Sequence, residues 1–301
     1  MHPYQKRIAA MSAGIPELER FLYEAAAIGL ATLQSWDDTA WESVAARLTD
    51  AKLGGLAKRV RNMKSSRTSN AWDRVFRREL AALYLWLKGF RQMDELPDAM
   101  GYELLQQGGW NPKKEEVLQE GIPTADDWFV LALHSGIENQ LYFCQTWFFG
   151  EKTGKIAFQL EYAWGTPAFV SPWSIGDAFQ GDMVFFPSTY PLRAIPLVEK
   201  ALDRPFAPQQ GVLTRLQDLG DAFAAAVAAQ PWLEALPCLL DQMRIVQRRP
   251  HHWYAVDKHH QGVPAEWAPS EPIPRTVSGT WLLFATWTGE KLFVLKALKQ
   301  G

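Results

Sequence analysis

The stretch GIPTADDWFVLALHSGIENQLYFCQTWFFGEKTGKIAFQLEYAW, residues 121–164, marks a change of secondary structure along the 301-residue chain. It contains three runs of aromatic and β-branched residues, which short turn clusters at residues 135–139 and 150–154 separate. Runs of this kind joined by short turns are typical of an antiparallel meander. The stretch therefore predicts a β-sheet that begins near residue 122.

Before this stretch, the apolar residues recur at helical spacing. Residues 18–29, 41–60 and 72–90 each place apolar side chains three and four positions apart, which predicts three helices with one buried face each. Residues 93–105 and 113–118 predict two shorter helices. We therefore predict that residues 1–121 form a helical bundle.

After the meander, residues 183–187 (MVFFP) predict another strand, and helical spacing returns over residues 212–243. The runs GTWLLFATW and KLFVLKAL near the end of the chain predict a hairpin that turns at residues 288–290. Together these patterns predict a second domain, residues 122–301, which is an antiparallel sheet with a helical insertion at about residues 206–243. The predicted fold class is α+β.

The composition favours a reduced, cytoplasmic protein. The formal net charge is -2, which argues against a surface that binds polyanions throughout. Cys144 and Cys238 lie far apart in apolar surroundings, so they predict neither a disulfide scaffold nor a zinc site. The first residues contain no apolar segment of a secretory signal, and no apolar run is long enough for a transmembrane helix. The 14 tryptophans exceed ordinary usage and favour a well-packed protein that also has a contact surface.

Seven segments follow one another in a recognisable order. They are GIPELERFLYEAAAIGLATL, WESVAARLTDAKLGGLAKRVRNM, ELAALYLWLKGFRQMDELP, KKEEVL, DDWFVLAL, TWFFGEKTGKIAFQLEY and MVFFPSTYPLRAI. In this order they resemble the region after the zinc finger of bacterial SWIM zinc-finger proteins, over roughly residues 14–200. The final FATWTGEKLFVLKAL also resembles the C-terminus of that family. Such proteins are often encoded beside MoxR-type AAA+ ATPases and von Willebrand factor A (VWA) domain proteins.

The sequence departs from this family in lacking the zinc-binding signature. The SWIM signature, C-x-C followed by C-x-H, would bind zinc through three thiolates and one imidazole, and this sequence contains neither half. The resemblance thus implies a post-finger region in a divergent paralogue, a separate subunit or a truncated form. It also implies a non-catalytic interaction subunit or adaptor, with a MoxR-type AAA+ ATPase and a VWA-domain protein as partners. The sequence has no recognised catalytic or cofactor-binding motif, so we predict neither an enzyme nor a cofactor.

The strand and turn at residues 182–195 (DMVFFPSTYPLRAI) belong to the last resembling segment. Pro187 and Pro191 restrict the backbone of the turn, and the turn presents Arg193. One interpretation is structural, in which Arg193 pairs with a carboxylate or with backbone carbonyls. The other is that Arg193 contacts a partner.

The charge is distributed unevenly along the chain. Between Arg47 and Arg91 the net charge is +9, so the remainder carries -11. Five of these cations cluster where a predicted helix ends: Lys58, Arg59, Arg61, Lys64 and Arg67. Such a cluster is compatible with a nucleic-acid or acidic-partner surface. It is equally compatible with cations that complement a helix C-terminus on a solvated face. The alternative function is therefore a nucleic-acid-binding module that uses the basic helices between Arg47 and Arg91.

Two further segments contain residue types that bind metal ions or phosphate. In HHWYAVDKHH, residues 251–260, four imidazoles and one carboxylate are types that bind transition metals, with His251 and His259 as the candidate ligands. Adjacent histidines on a strand point to opposite faces, however, which favours solvated strand ends instead. GEKTGK, residues 150–155, departs from the spacing of a phosphate loop and joins two predicted strands. We therefore predict a hairpin turn there.

Overall fold

The structure of the chain, a computed structural model, describes residues 5–138, 141–171, 173–273 and 279–299. It falls into two compact units, Met1–Lys113 and Lys114–Gly301. The predicted α+β class is confirmed, because helices build the first unit and strands build most of the second.

The first unit is a helical bundle. In chain order its helices are α1 (Gln5–Ser12), α2 (Ile15–Ile28), α3 (Leu30–Gln34), α4 (Asp38–Asp50), α5 (Gly54–Ser66), α6 (Trp72–Arg91) and α7 (Asp98–Gly108). The predicted second helix is in fact two helices, α4 and α5. Lys52 has a φ of 64°, and the backbone N–H of Leu53 reaches back to the carbonyl of Leu48 at 2.8 Å. A left-handed residue followed by this bond is a Schellman motif, which ends a right-handed helix.

Aromatic side chains fill the centre of the bundle. Trp41 is completely buried, and its ring meets Phe76 edge-on at 5.5 Å and Trp36 edge-on at 5.4 Å between centroids. Asp37 positions Trp41, because its Oδ1 accepts the backbone N–H of Ala40 at 2.7 Å and so caps the first turn of α4. Some of the many tryptophans of the sequence therefore pack in the core of the bundle.

The beginning of α5 and the end of α7 approach at backbone distance. A Cβ atom added at Gly55 would lie 2.1 Å from the carbonyl oxygen of Gln107. At Gly109, which has a φ of +109°, an added Cβ would lie 2.6 Å from the backbone nitrogen of Gly55. The neighbouring Gly54 faces open space. The two helix ends can therefore pack this closely only while Gly55 and Gly109 lack side chains.

The second unit begins with a short helix, α8 (Lys114–Glu120), which packs on strands of that unit. Its remaining elements are β1 (Ile122–Glu138), β2 (Leu141–Gly150), β3 (Ile156–Trp164), β4 (Ala178–Phe185), β5 (Ala194–Leu202), β6 (Val212–Leu213), α9 (Leu216–Ala229), β7 (Leu236–Arg249), β8 (His252–Val256), β9 (Gly262–Trp267), β10 (Trp281–Trp287) and β11 (Leu292–Lys299).

The strands form two sheets. The first sheet has the order β3-β2-β1-β4-β5 with antiparallel neighbours, so the predicted meander is confirmed. The second has the order β10-β11-β9-β8-β7-β6, and β10 also pairs with β7. The strands β7, β10, β11, β9 and β8 therefore close into a ring. Two pairings of the second sheet, β9 with β11 and β6 with β7, are parallel.

The helical insertion differs from the prediction of residues 206–243. The helix α9 is shorter, and the apolar run from Leu236 onward is the strand β7. Cys238 faces Ala285 and Leu240 faces Leu283 across the pairing with β10, and these four residues are buried in the core of the ring. A short apolar run that is buried on all sides shows neither a helical nor a strand period. The sequence pattern therefore predicted a helix where the chain forms the strand β7.

Apolar side chains from both faces of the first sheet are buried. On one face, Trp128, Phe148 and Phe185 belong to a core within that sheet. On the other, Trp147 packs edge-on against Phe284 of the second sheet, with 5.7 Å between ring centroids. This two-sided burial explains why β1 and β2 read as nearly continuous apolar runs.

Candidate functional site

The predicted basic cluster does not form one exposed surface, because Arg59 is part of the bundle core. Only 7% of Arg59 is exposed, and Glu79 is fully buried. Nη1 of Arg59 donates to Oε2 of Glu79 at 2.8 Å, and Nη2 donates to Oε1 of Gln107 at 3.1 Å. Arg59 therefore joins α5, α6 and α7 and is unavailable to a ligand on the surface.

Three other members of the cluster form ion pairs with carboxylates of α4. Arg61 contacts Glu42 at 2.6 Å, and Arg67 contacts Asp38 at 2.5 Å. Lys64 lies 3.7 Å from Asp38 and 3.9 Å from Glu42. Hydrogen bonds from the two guanidinium groups lower the pKa of both carboxyls, so the pairs are charged at neutral pH. A polyanion would have to compete with these pairs, whereas Lys58 is exposed.

The turn element of Pro187, Pro191 and Arg193 connects β4 to β5, and its last residues also pair with β3, the other outer strand of the first sheet. The backbone N–H of Phe158 in β3 donates to the carbonyl of Leu192 at 2.7 Å, next to the start of β5. The guanidinium carbon of Arg193 lies 4.3 Å from the centre of the Phe186 ring. Burial lowers the pKa of Arg193. These contacts agree with the structural interpretation of Arg193, and its contact with a partner stays a prediction.

The candidate metal ligands lie in separate turns. His251 follows β7 in a left-handed conformation with a φ of 63°, and His259 lies between β8 and β9. The nearby Asp257 is fully buried, and it accepts the backbone N–H groups of His259, Gln261 and Leu216 at 2.9 to 3.0 Å. Throughout the described residues, no three His, Cys, Asp or Glu side chains come together as a group that could hold a metal ion.

The segment GEKTGK is the hairpin turn between β2 and β3, and five polar residues hold it: Asp126, Asp127, Glu151, Thr153 and Arg204. Asp126 accepts the backbone N–H groups of residues 152 and 153 at 3.0 and 2.8 Å, and the Thr153 hydroxyl at 2.6 Å. Arg204 donates to both oxygens of Glu151, at 2.9 and 2.6 Å, and to Asp127 at 2.7 Å. We call these five residues the turn network. Their polar groups are bonded to one another and to the backbone of the turn, so they stabilise the fold.

The turn network predicts a specific dependence of stability on pH. The hydrogen bond from Arg204 lowers the pKa of Glu151, so Glu151 stabilises the fold above its unfolded pKa of about 4.3. This contribution is lost as the pH falls through that value towards the lower folded pKa. We expect Glu151→Gln to lower the melting temperature at pH 7 and to flatten its decrease in acid. The measurement is melting by circular dichroism between about pH 7 and 3.

Glu199→Gln provides the matched control, because Glu199 is an exposed glutamate on β5. This variant should follow the wild-type curve at every pH. If Glu151→Gln also follows it, the turn network contributes nothing to the acid sensitivity of the unit.

An apolar groove lies open on the first unit between α2, α3 and α6. Its volume is about 430 Å³, and it is lined by Leu22, Ala25, Ala26, Gly29, Leu30, Leu80, Ala81 and Tyr84. Tyr84 is 55% exposed, and beside the lining residues Tyr23 is 80% exposed and Leu85 43%. Apolar surface gathered in this way marks ligand or partner sites in many proteins. We call this feature the bundle groove.

Small residues create the bundle groove. Ala26 on α2 and Ala81 on α6 leave space between the helices, and Gly29, with a φ of +80°, separates α2 from α3. The sequence pattern had placed Leu22, Ala25, Ala26 and Gly29 on one buried helix face. The structure buries Ala25 but exposes Ala26. The run of small residues at 25–27, opposite Ala81, is the sequence signal that could have revealed the groove.

The two units define an α+β protein with a helical bundle that carries an open apolar groove. Residues 6–107, which make up most of the bundle unit, match the family model of the SWIM-associated four-helix bundle domain. The predicted resemblance is thereby confirmed for this part of the chain. No curated protein and no solved structure matches the chain. Among the described residues, none of the helices has the length and apolar character to cross a membrane.

Proposed function

We propose that this chain is a non-catalytic interaction subunit that works with a MoxR-type AAA+ ATPase and a VWA-domain protein. The observation that carries the proposal is the bundle groove, since an open apolar surface with exposed aromatic side chains favours protein binding. The SWIM-associated bundle at residues 6–107 supports a relationship to SWIM proteins. The two named partners follow from the gene neighbourhood that the resemblance implies.

The polar clusters described above support a non-catalytic role. The carboxylate of Glu79 is paired with Arg59 inside the bundle, and Glu151 is paired with Arg204 in the turn network. Asp257 is occupied by backbone N–H groups. A general acid or base needs a carboxyl oxygen that is free to give a proton to a substrate or to take one from it, and these carboxylates are instead committed to the fold.

The proposal predicts that Tyr84 contributes to partner binding. The ATPase and the VWA protein of the same host would each be purified and titrated with this chain by isothermal calorimetry. We expect at least one to bind, and Tyr84→Ser to weaken that binding about tenfold or more, because exposed aromatic residues often dominate interface energies. Tyr162→Ser is the matched control, since Tyr162 is a tyrosine of the second unit with 48% exposure.

Binding of neither protein would show the proposal to be wrong. Equal losses in the two variants would show that the bundle groove is not the contact surface. Nucleic-acid binding stays the alternative prediction, tested in the same titration with a labelled oligonucleotide. Affinity that falls steeply with salt, and that is lost when Lys58 and Lys64 are changed to glutamate, would favour it. Arg59 is left unchanged in this test because it is buried.

A further inference from the structure

We infer that the bundle groove binds an amphipathic helix with acidic flanking residues. This inference rests on the proposed function, because it names the chemistry of the partner segment that the interaction subunit holds. It follows from two properties of the groove, namely the helices that form its walls and the charges at its rim.

The walls of the groove favour a helical ligand. They are formed by α2, α3 and α6, and the backbone N–H and C=O groups inside a helix are bonded to each other. An extended peptide would find few backbone partners there, whereas a helix satisfies its own backbone. The lining from Leu22 on α2 to Gly29 just after it spans about 10 Å along the helix axis, which is the distance from i to i+7 in a docked helix.

The rim of the groove along α6 is basic. Ala81 and Tyr84 line the groove, Arg77 lies one turn before Ala81, and Lys88 lies one turn after Tyr84. Residues three or four positions apart share a helix face. The Arg77 side chain is 63% exposed, and Lys88 is exposed. The exposed apolar stretch of α6 therefore has a cation at each end.

Acidic side chains balance part of the positive charge of this rim and leave Lys88 unbalanced. Asp73 pairs with Arg77 at 2.6 Å, so an acidic ligand residue would have to compete with Asp73 for this exposed cation. Glu19 pairs with Arg91, and Glu24 lies two positions after Leu22 and so points away from the groove. In the described part of the chain, Lys88 has no carboxylate within ion-pair distance. Acidic residues beside the apolar anchors of a ligand would complement Arg77 and Lys88.

The test uses two fluorescein-labelled peptides of about four helical turns, with leucines at i, i+3, i+4 and i+7. One peptide carries glutamates at its polar positions and the other carries lysines. We expect the glutamate peptide to bind the full chain about tenfold more tightly by fluorescence anisotropy. The double variant Arg77→Glu/Lys88→Glu should reverse the order, Tyr84→Ser should weaken both peptides, and the control Lys200→Glu on β5 should leave both affinities unchanged.

Equal affinities for the two peptides, a preference for the lysine peptide, or no binding of either would overturn the inference. So would an oligonucleotide that binds at the same rim as tightly as the glutamate peptide, because charge alone would then suffice. The double variant is also titrated with the ATPase and the VWA protein. If Tyr84→Ser weakens their binding and the double variant does not, the inference is wrong and the proposed function stands. If the glutamate peptide binds and neither protein does, the proposed function is wrong and the inference stands.

Discussion

Replacing Arg59 with methionine is expected to lower the free energy of unfolding of the bundle unit by about 3 to 5 kcal/mol. The change leaves the carboxylate of Glu79 in the core without its buried partner at 2.8 Å. Arg78 still contacts the other oxygen of Glu79, but its side chain is 61% exposed and stabilises the buried charge less. Urea denaturation followed by helical circular dichroism measures the loss.

Lys58→Met is the matched control, because it removes the same charge from the adjacent, exposed position. It should change the stability by no more than about 0.5 kcal/mol. The double variant Arg59→Met/Glu79→Leu should recover most of the loss, since an apolar pair of similar size often replaces a buried ion pair without cost. Similar effects of Arg59→Met and Lys58→Met would mean that Arg59 is accessible, and the basic cluster would again be a candidate surface.

Substitution of Gly55 with alanine is expected to lower the free energy of unfolding by about 2 to 3 kcal/mol. The new methyl group would lie 2.1 Å from the carbonyl oxygen of Gln107. Because the obstacle is backbone, α5 and α7 would have to move apart. The same substitution one position earlier, Gly54→Ala, meets open space at the start of α5. It should raise the stability by about 0.4 to 1 kcal/mol, since alanine lowers the conformational entropy of the unfolded chain.

The pair of variants is informative because only one position separates two opposite outcomes. Midpoints of urea denaturation, measured side by side, decide the sign for each variant. Equal stabilities of Gly55→Ala and Gly54→Ala would contradict the conclusion that the backbones of α5 and α7 lie too close for a side chain at position 55.

Local patterns predicted the elements that depend on neighbours in the sequence. Asp37 caps α4, and an aspartate just before an apolar helical pattern is a local signal of a helix start. The final hairpin was predicted from two apolar runs around residues 288–290, and β10 and β11 pair as expected. The strand β7 was missed because its burial depends on β10, which lies far along the chain. A period-based prediction has no access to that partner.

The candidate site was less accessible to prediction for the same reason. The sequence identifies Arg59 as one cation among five, and its burial is decided by Glu79 and Gln107, which lie on other helices. The bundle groove likewise depends on small residues, such as Ala26 and Ala81, that meet only in the folded bundle. Helical periodicity identifies which face of a helix is apolar. It does not show whether a neighbouring helix fills that face.

The ring of strands in the second unit has a consequence for synthesis of the protein. The strand β7 leaves the ribosome well before β10, yet β10 pairs along its edge and closes the ring. Until β10 has emerged, the backbone groups along this edge of β7 are open to pairing with other nascent chains. A chaperone that shields β7 during translation would therefore protect the yield of folded protein, and its help would become unnecessary once the ring is closed.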